Sequence, residues 1–198
     1  MYLYGASGHA KVIMDILRAS GKEIKALVDD NPDINELCGI EVVHNHEGLS
    51  PFIVSIGDNK ARKVVAEKLE TQGADFETAI HPSSVVSPSA TIDSGTVVMP
   101  GALVNAESTI GKHCIINTGA SIDHECNIDD YVHISPHSTL CGNVSVGEGT
   151  WIGAGSTIIQ GIKIGKWCII AAGSVVSKNI PDGYLAAGNR CKLVKLIN

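Results

Sequence analysis

The sequence predicts two folds in series: an α/β domain over residues 1–78, then a parallel β-solenoid over residues 79–198 that ends in a short tail. Three observations predict this. Branched aliphatic residues recur every sixth position from Ile80 to Val176. A second track, two residues earlier, is made mostly of small residues. Before residue 79 the period is absent, and a strand, a glycine-rich turn, a helix and a second strand take its place.

Stepping by six from Ile80 meets Val86, Ile92, Val98 and Val104, and continues through Ile134 and Ile152 to Val176, with only Ile, Val or Leu at each step. The track two residues before reads Ser84, Ala90, Thr96, Ala102 and Ser108, then Cys114, Ala120 and Cys126, and later Cys168 and Ser174. Positions two apart that face the same way are strand geometry, not helix geometry. One large and one small inward residue per six fits a short strand followed by a tight corner. Glycines follow the large residue at Gly111, Gly147, Gly153 and Gly165, where positive φ at the corners is expected. Stacked coils of this kind bury one continuous core.

The first 78 residues read differently. Residues 2–4 form a strand, residues 5–9 (Gly-Ala-Ser-Gly-His) a turn, and residues 10–20 a helix with Val12, Ile13, Ile16 and Leu17 on one side. Residues 24–28 read as a strand ending at Asp29-Asp30, and residues 52–56 as another, followed by Gly57-Asp58-Asn59. Residues 60–72 read as a helix with Val64, Val65 and Leu69 apolar. This order is Rossmann-like. The turn after a first strand favours an anion, because backbone amides at a helix start point outward. An acidic pair about 20 residues later can hold a ribose or a base edge. The glycine spacing is not the full dinucleotide fingerprint, so a mononucleotide or sugar-nucleotide fits better than NAD, and a turn that only packs a helix on a sheet fits as well.

Composition narrows the classes. A net charge of −6 argues against nucleic acid as the main partner. No apolar stretch is long enough for a membrane span, and the start lacks signal-peptide features, so a cytoplasmic location is expected. The six cysteines include no Cys-x-x-Cys pair and are expected to be buried free thiols.

The chemistry-bearing candidates are Asn117 and His124-Glu125. With a coil of 18 residues, the positions above and below His124 are Ala106 and Gly142, both small, so the ring stands in a hollow. A histidine there can act as a general base, with the adjacent carboxylate raising its basicity. Asn117, His133 or the backbone of Gly142 can serve a developing oxyanion. His113, His124, His133 and His137 fall at different phases of the coil, so no metal is expected. No serine carries a triad signature.

In order along the chain, the segments Tyr4-Gly5-Ala6-Ser7-Gly8-His9, Asp29-Asp30, Ile56-Gly57-Asp58-Asn59, Ile80-His81-Pro82, Asn117-Thr118, Asp123-His124-Glu125-Cys126, His133 and Cys141-Gly142-Asn143-Val144 resemble the two-domain sugar acetyltransferase family of the hexapeptide-repeat class. That family includes bacillosamine-pathway enzymes, perosamine N-acetyltransferases and sialic-acid O-acetyltransferase-like proteins. The resemblance implies a left-handed β-helix, a homotrimer with active sites between subunits, and acetyl-CoA as co-substrate. It implies that His124 is the general base and that Glu125 raises its basicity. Asn117 and His133 would line the acetyl end, and Gly142, Ala154 and Ala172 the CoA groove. Ser7, Gly8, His9, Asp29, Asp30 and Gly57 would hold the sugar-nucleotide. The reaction implied is N-acetylation of a UDP-linked 4-amino-4,6-dideoxy sugar for a bacterial surface glycan or glycoprotein. The alternatives are O-acetylation of a sialic acid or other sugar hydroxyl, a γ-type carbonic anhydrase and a non-catalytic solenoid. The tail departs from the family pattern: Gly188-Asn189-Arg190-Cys191-Lys192 stands where relatives have Gly-x-Pro-Ala-Lys.

Overall fold

The structure is a computed structural model that describes residues 1–197. Its first part is a five-stranded sheet with a helix on each face. In chain order the elements are β1 (Tyr2–Tyr4), α1 (Gly8–Ala19), β2 (Ala26–Val28), β3 (Glu36–Leu37), β4 (Ile40–Val43), β5 (Phe52–Val54) and α2 (Asn59–Thr71). The spatial order is β3-β4-β2-β1-β5, parallel except for the β3–β4 hairpin. The sequence reading missed that hairpin. Its turn is Cys38-Gly39, both at positive φ, which suits a two-residue hairpin turn but lacks the usual Asn-Gly signal. Cys38 is also exposed, and Cys141 and Cys191 are half-buried, so only Cys114, Cys126 and Cys168 are the buried thiols expected.

Two helix faces differ from the expectation. On α1 the core side is Ala10, Ile13, Met14, Ile16 and Leu17, while Val12 faces outward. On α2 the buried residues are Arg62, Ala66 and Leu69, while Val64 is 66% exposed. The apolar count on α2 is too low for a strong stripe, so packing chose the face.

The solenoid is a three-sided prism of two-residue strands. The first face stacks Ala79–Ile80, Val97–Val98, Ile115–Ile116, His133–Ile134, Trp151–Ile152 and Ile169–Ile170. The second runs from Val85–Val86 to Val175–Val176, and the third from Thr91–Ile92 to Lys163–Ile164. Every pair is parallel and offset by one coil, as in Ile116↔Ile134 and Ile134↔Ile152. Adjacent faces bury the predicted ladder from Val98 to Val176 as one core, while Val86 and Ile92 are only partly buried and Ile80, with no coil before it to cover it, is 39% exposed. The small track fills the bends, and its hydroxyls serve carbonyls on the next coil: Ser138 Oγ donates to Gly153 O at 2.9 Å and Thr150 Oγ1 to Gly165 O at 2.7 Å. That is why Ser and Thr are tolerated where they are fully buried.

The corners correct one expectation. Left-handed φ falls on three columns 18 residues apart, including Gly95, His113, Tyr131, Gly149 and Trp167 at one corner. Gly111, Gly147, Gly153 and Gly165 are not among them. At Gly153 a Cβ would meet Ala172 N at 2.5 Å. These glycines are required by the close approach of the next coil, not by φ.

The α/β part sits on the first face. Its core includes Ala79, Val97, Met99 and Ile115 from the solenoid exterior, packed against α1. On the other side of the sheet, Tyr131 joins the core beneath α2. The final hairpin, Tyr184–Ala187 with Lys192–Leu196, extends the first face. Among the described residues no helix is long and apolar enough to cross a membrane.

Candidate active site

The nucleotide-type turn is built by its neighbours. Gly5, at φ 110°, passes within 3.1 Å of Ser55 O at its would-be Cβ, so any side chain there clashes. Ser7 caps α1 without a side-chain hydrogen bond to the helix, and Ser7 and Gly8 are exposed. The amides at this helix start therefore face outward, as an anion site requires. Asp29 secures the turn: its carboxylate accepts from Ala6 N at 2.7 Å and Asn31 N at 2.9 Å. Asp30 accepts from the Tyr4 hydroxyl at 2.8 Å. Burial, reinforced by the Asp30 bond, pushes the Tyr4 phenol above its ordinary range. Gly57 is exposed, and a Cβ there would meet nothing within 4 Å. Residues 5–9 and 56–59 thus flank the point where the sheet order reverses between β1 and β5, the place where open α/β sheets hold ligands.

A cavity of about 1040 Å³ opens between this lip and the first face of the solenoid. Gly57, Asn59 and Lys60 line it on one side, and His133, Trp151 and Trp167 on the other. Asn117 Nδ2 donates to His133 Nε2 at 3.0 Å, while Asn117 Oδ1 accepts from Thr118 N at 2.8 Å. The His133 ring stacks on Trp151 with centroids 5.8 Å apart. Burial, and then the Arg62 charge, lowers His133 to about 3. It is neutral at physiological pH and carries its proton on Nδ1. His9 is held at about 4 by the same two causes.

His124 and Glu125 form a second, separate cluster. His124 Nδ1 lies 2.9 Å from Glu125 Oε2. Glu125 occupies a left-handed corner position, φ 60°, which turns its carboxylate back toward the ring. A carboxylate on Nδ1 keeps the proton there and leaves the Nε2 lone pair free. The hollow expected around His124 is filled by the ring itself, which lies over Gly142. Gly142 is accordingly buried within the chain. Ala154 and Ala172 sit one coil apart at another corner, exposed, with open space at Gly155 and Gly173 beside them. This is a track free of long side chains.

One chain does not bring all these residues together. Asn117, Ala154 and Ala172 follow strands of the first face, whereas His124 and Gly142 follow strands of the second. They stand at different corners of the prism. His113, His124 and His137 occupy three different corners, and among the described residues no group of three or more His, Cys, Asp or Glu is placed to hold a metal ion. Sequence reasoning missed Arg62, Trp151, Trp167 and the final hairpin as parts of the cavity wall and its support. An arginine on a polar helix, a tryptophan on an outward strand position and another at a corner carry no periodic signal.

An α/β domain with a glycine-rich turn after its first strand, set on a three-sided solenoid of six-residue repeats, defines a class: two-domain proteins of the hexapeptide-repeat transferase type. Comparison with known proteins agrees. The family profile described as PglD N-terminal domain matches residues 1–69, and that of bacterial transferase hexapeptide (six repeats) matches residues 143–178. PerB from Caulobacter crescentus, solved with CoA and GDP-perosamine, is 40% identical, with a TM-score of 0.92 over 98% of this chain and 96% of that one. The acetyltransferase domain of PglB from Neisseria gonorrhoeae FA1090, solved with acetyl coenzyme A, is 35% identical, with a TM-score of 0.91 over 98% of each chain. UDP-N-acetylbacillosamine N-acetyltransferase of Bacillus subtilis (strain 168) is 43% identical over 105 residues, 48% of this chain and 48% of that protein, so the match spans about half that relative's length. The chain belongs to the hexapeptide-repeat sugar acetyltransferase family.

Proposed function

We propose that the protein transfers the acetyl group of acetyl-CoA to the amine of a UDP-linked 4-amino-4,6-dideoxy sugar. Residues 1–78 hold the nucleotide, and residues 79–198 carry the base and the donor groove. The observation that carries the mechanism is the His124 Nδ1 to Glu125 Oε2 contact of 2.9 Å, which leaves Nε2 as a free base on an exposed corner. The neutral amine attacks the thioester carbonyl directly. An N–C bond forms and the C–S bond breaks. The amine proton passes to His124 Nε2 and then to the departing CoA thiolate. Asn117 Nδ2 and the neutral His133 face the acetyl end, where an amide donor steadies the oxyanion.

The separation of His124 from the Asn117–His133 face supports a homotrimer, in which a neighbouring solenoid brings its His124 corner to the cleft. Ser7, Gly8, His9, Asp29, Asp30 and Gly57 hold the nucleotide, and Ala154 and Ala172 line the CoA track, with Gly142 placed there by assembly. PerB and the PglB domain, solved with CoA or acetyl-CoA, support that donor.

A thiol-release assay with acetyl-CoA tests this. UDP- and GDP-linked 4-amino sugars and free sialic acid serve as acceptors. Release fastest with a UDP-amino sugar is expected. Preference for the GDP sugar overturns the base assignment, and release with sialic acid alone overturns amine transfer. His124→Ala is expected to lower kcat by about a hundred- to ten-thousand-fold with the trimer intact. Near-normal turnover would sink the mechanism.

A further inference from the structure

Helix α2 turns its largest buried side chain, Arg62, into the junction between the two domains, where it is 1% exposed. Nε donates to His113 O at 2.8 Å. Nη1 donates to Ile56 O at 3.0 Å and Gly57 O at 3.1 Å. Nη2 donates to Asn59 Oδ1 at 2.8 Å and Tyr131 O at 2.9 Å. A guanidinium has five N–H groups, and each one has an acceptor here. None of those acceptors is a carboxylate. A buried cation without a counterion is tolerated only where fixed dipoles replace its water. Burial lowers Arg62 to about 10, so it stays charged at neutral pH.

The acceptors divide between the domains. Gly57 and Asn59 line the cavity and Ile56 precedes them in the same segment, whereas His113 and Tyr131 are stacked corner residues of consecutive coils. Asn59 extends the link to the next coil, its Nδ2 donating to Gly149 O at 3.1 Å. The lip is therefore tied to three successive coils through one cation and the amide it orients. The same charge faces His133 and His9 and helps keep both neutral.

We infer that Arg62 is a positioning residue that fixes the lip at residues 56–59 against the solenoid and so sets how far a bound acceptor stands from the Asn117–His133 face. Its structural half is independent of the reaction, and its kinetic half rests on the proposed acceptor. A lysine would keep the charge but has three donors at one point, which cannot serve five acceptors in a plane.

Hydrogen exchange on the ligand-free trimer tests the first half. Arg62→Lys and Arg62→Met are compared with the natural protein. The amides of Ala61 and of position 62, which donate to Asp58 Oδ1 at 2.8 Å and Asp58 O at 2.9 Å across the lip, are expected to exchange at least about tenfold faster in both variants, while Ile134 and Ile152 in the solenoid keep their protection. Steady-state kinetics test the second half. In Arg62→Lys the acceptor KM is expected to rise about tenfold while the acetyl-CoA KM stays within about twofold. Unchanged lip exchange in folded protein overturns the inference, as does an equal rise in both KM values. If the natural protein turns over no amino sugar, the proposed function fails, and the exchange result still decides whether Arg62 pins the lip. If Arg62→Met does not fold, Arg62→Lys alone decides.

Discussion

Gly142→Ala separates the role of His124 from the stability of the coil that carries it. Gly142 is not among the left-handed positions, so its backbone accepts an alanine. The added Cβ would lie 2.6 Å from His124 Cε1 and 2.7 Å from Nε2. Ordinary contact begins at about 3.4 Å, so the ring must retreat by about 0.8 Å. It has room to do so, because the His124 side chain is 56% exposed. The fold therefore loses little, about 0.5 kcal/mol or less, and Tm stays within about 2 °C. The chemistry loses much more. A reacting group misplaced by about 1 Å costs about a hundredfold in rate, or about 2.7 kcal/mol of barrier. The assay is thiol release at saturating acetyl-CoA and amino sugar-nucleotide, with Tm measured on the same sample. A kcat within about threefold of the natural protein, at unchanged Tm, refutes the reasoning. A raised KM for acetyl-CoA with kcat intact refutes it too, and leaves Gly142 with its groove role alone.

Other perturbations follow from the same geometry. Glu125→Gln keeps an acceptor for His124 Nδ1 but removes the charge that steadies an imidazolium, and kcat is expected to fall about tenfold with unchanged circular dichroism. Ile152→Ala empties a fully buried ladder position and is expected to cost about 2–5 kcal/mol in urea unfolding. Val85→Ala, 61% exposed on the second face, is expected to change stability by less than about 0.5 kcal/mol. Burial first, and Arg62 next, hold His9 and His113 at about 4 and His133 at about 3, against 6.5 unfolded. Below 6.5 the unfolded chain binds protons that the folded one refuses. Stability is therefore full above that value and falls as pH drops toward 4, by on the order of 1.4 kcal/mol per pH unit for each histidine. A urea midpoint equal at pH 7 and pH 5 contradicts that assignment.

Much of the solenoid was legible because its period is a direct record of its geometry. Val98 through Val176 keep register because each inward side chain packs against the same position of the neighbouring coils. The turn at residues 5–9 was legible for a similar reason, since a glycine-rich segment between a strand and a helix has few ways to close. Less legible were features set by contact between distant segments. Arg62 reads in sequence as one more charge on a solvated helix, and only the meeting of α2 with the His113 and Tyr131 corner makes it a fully buried side chain. Trp151 reads as an outward strand residue, and only the overhang of the α/β domain makes it a cavity wall.

The sequence by itself determined the six-residue period, the inward ladder, the order of the two domains and the adjacency of His124 and Glu125 along the chain, because each is a matter of local spacing. The tertiary structure decided which face of the prism the α/β domain covers, which glycines serve close approach rather than positive φ, and which helix residue the junction buries. It also decided that His124 and the Asn117–His133 pair stand at different corners of one chain. Local spacing fixes phase around a coil, but the contacts that shape a cleft come from parts of the chain that the spacing does not relate.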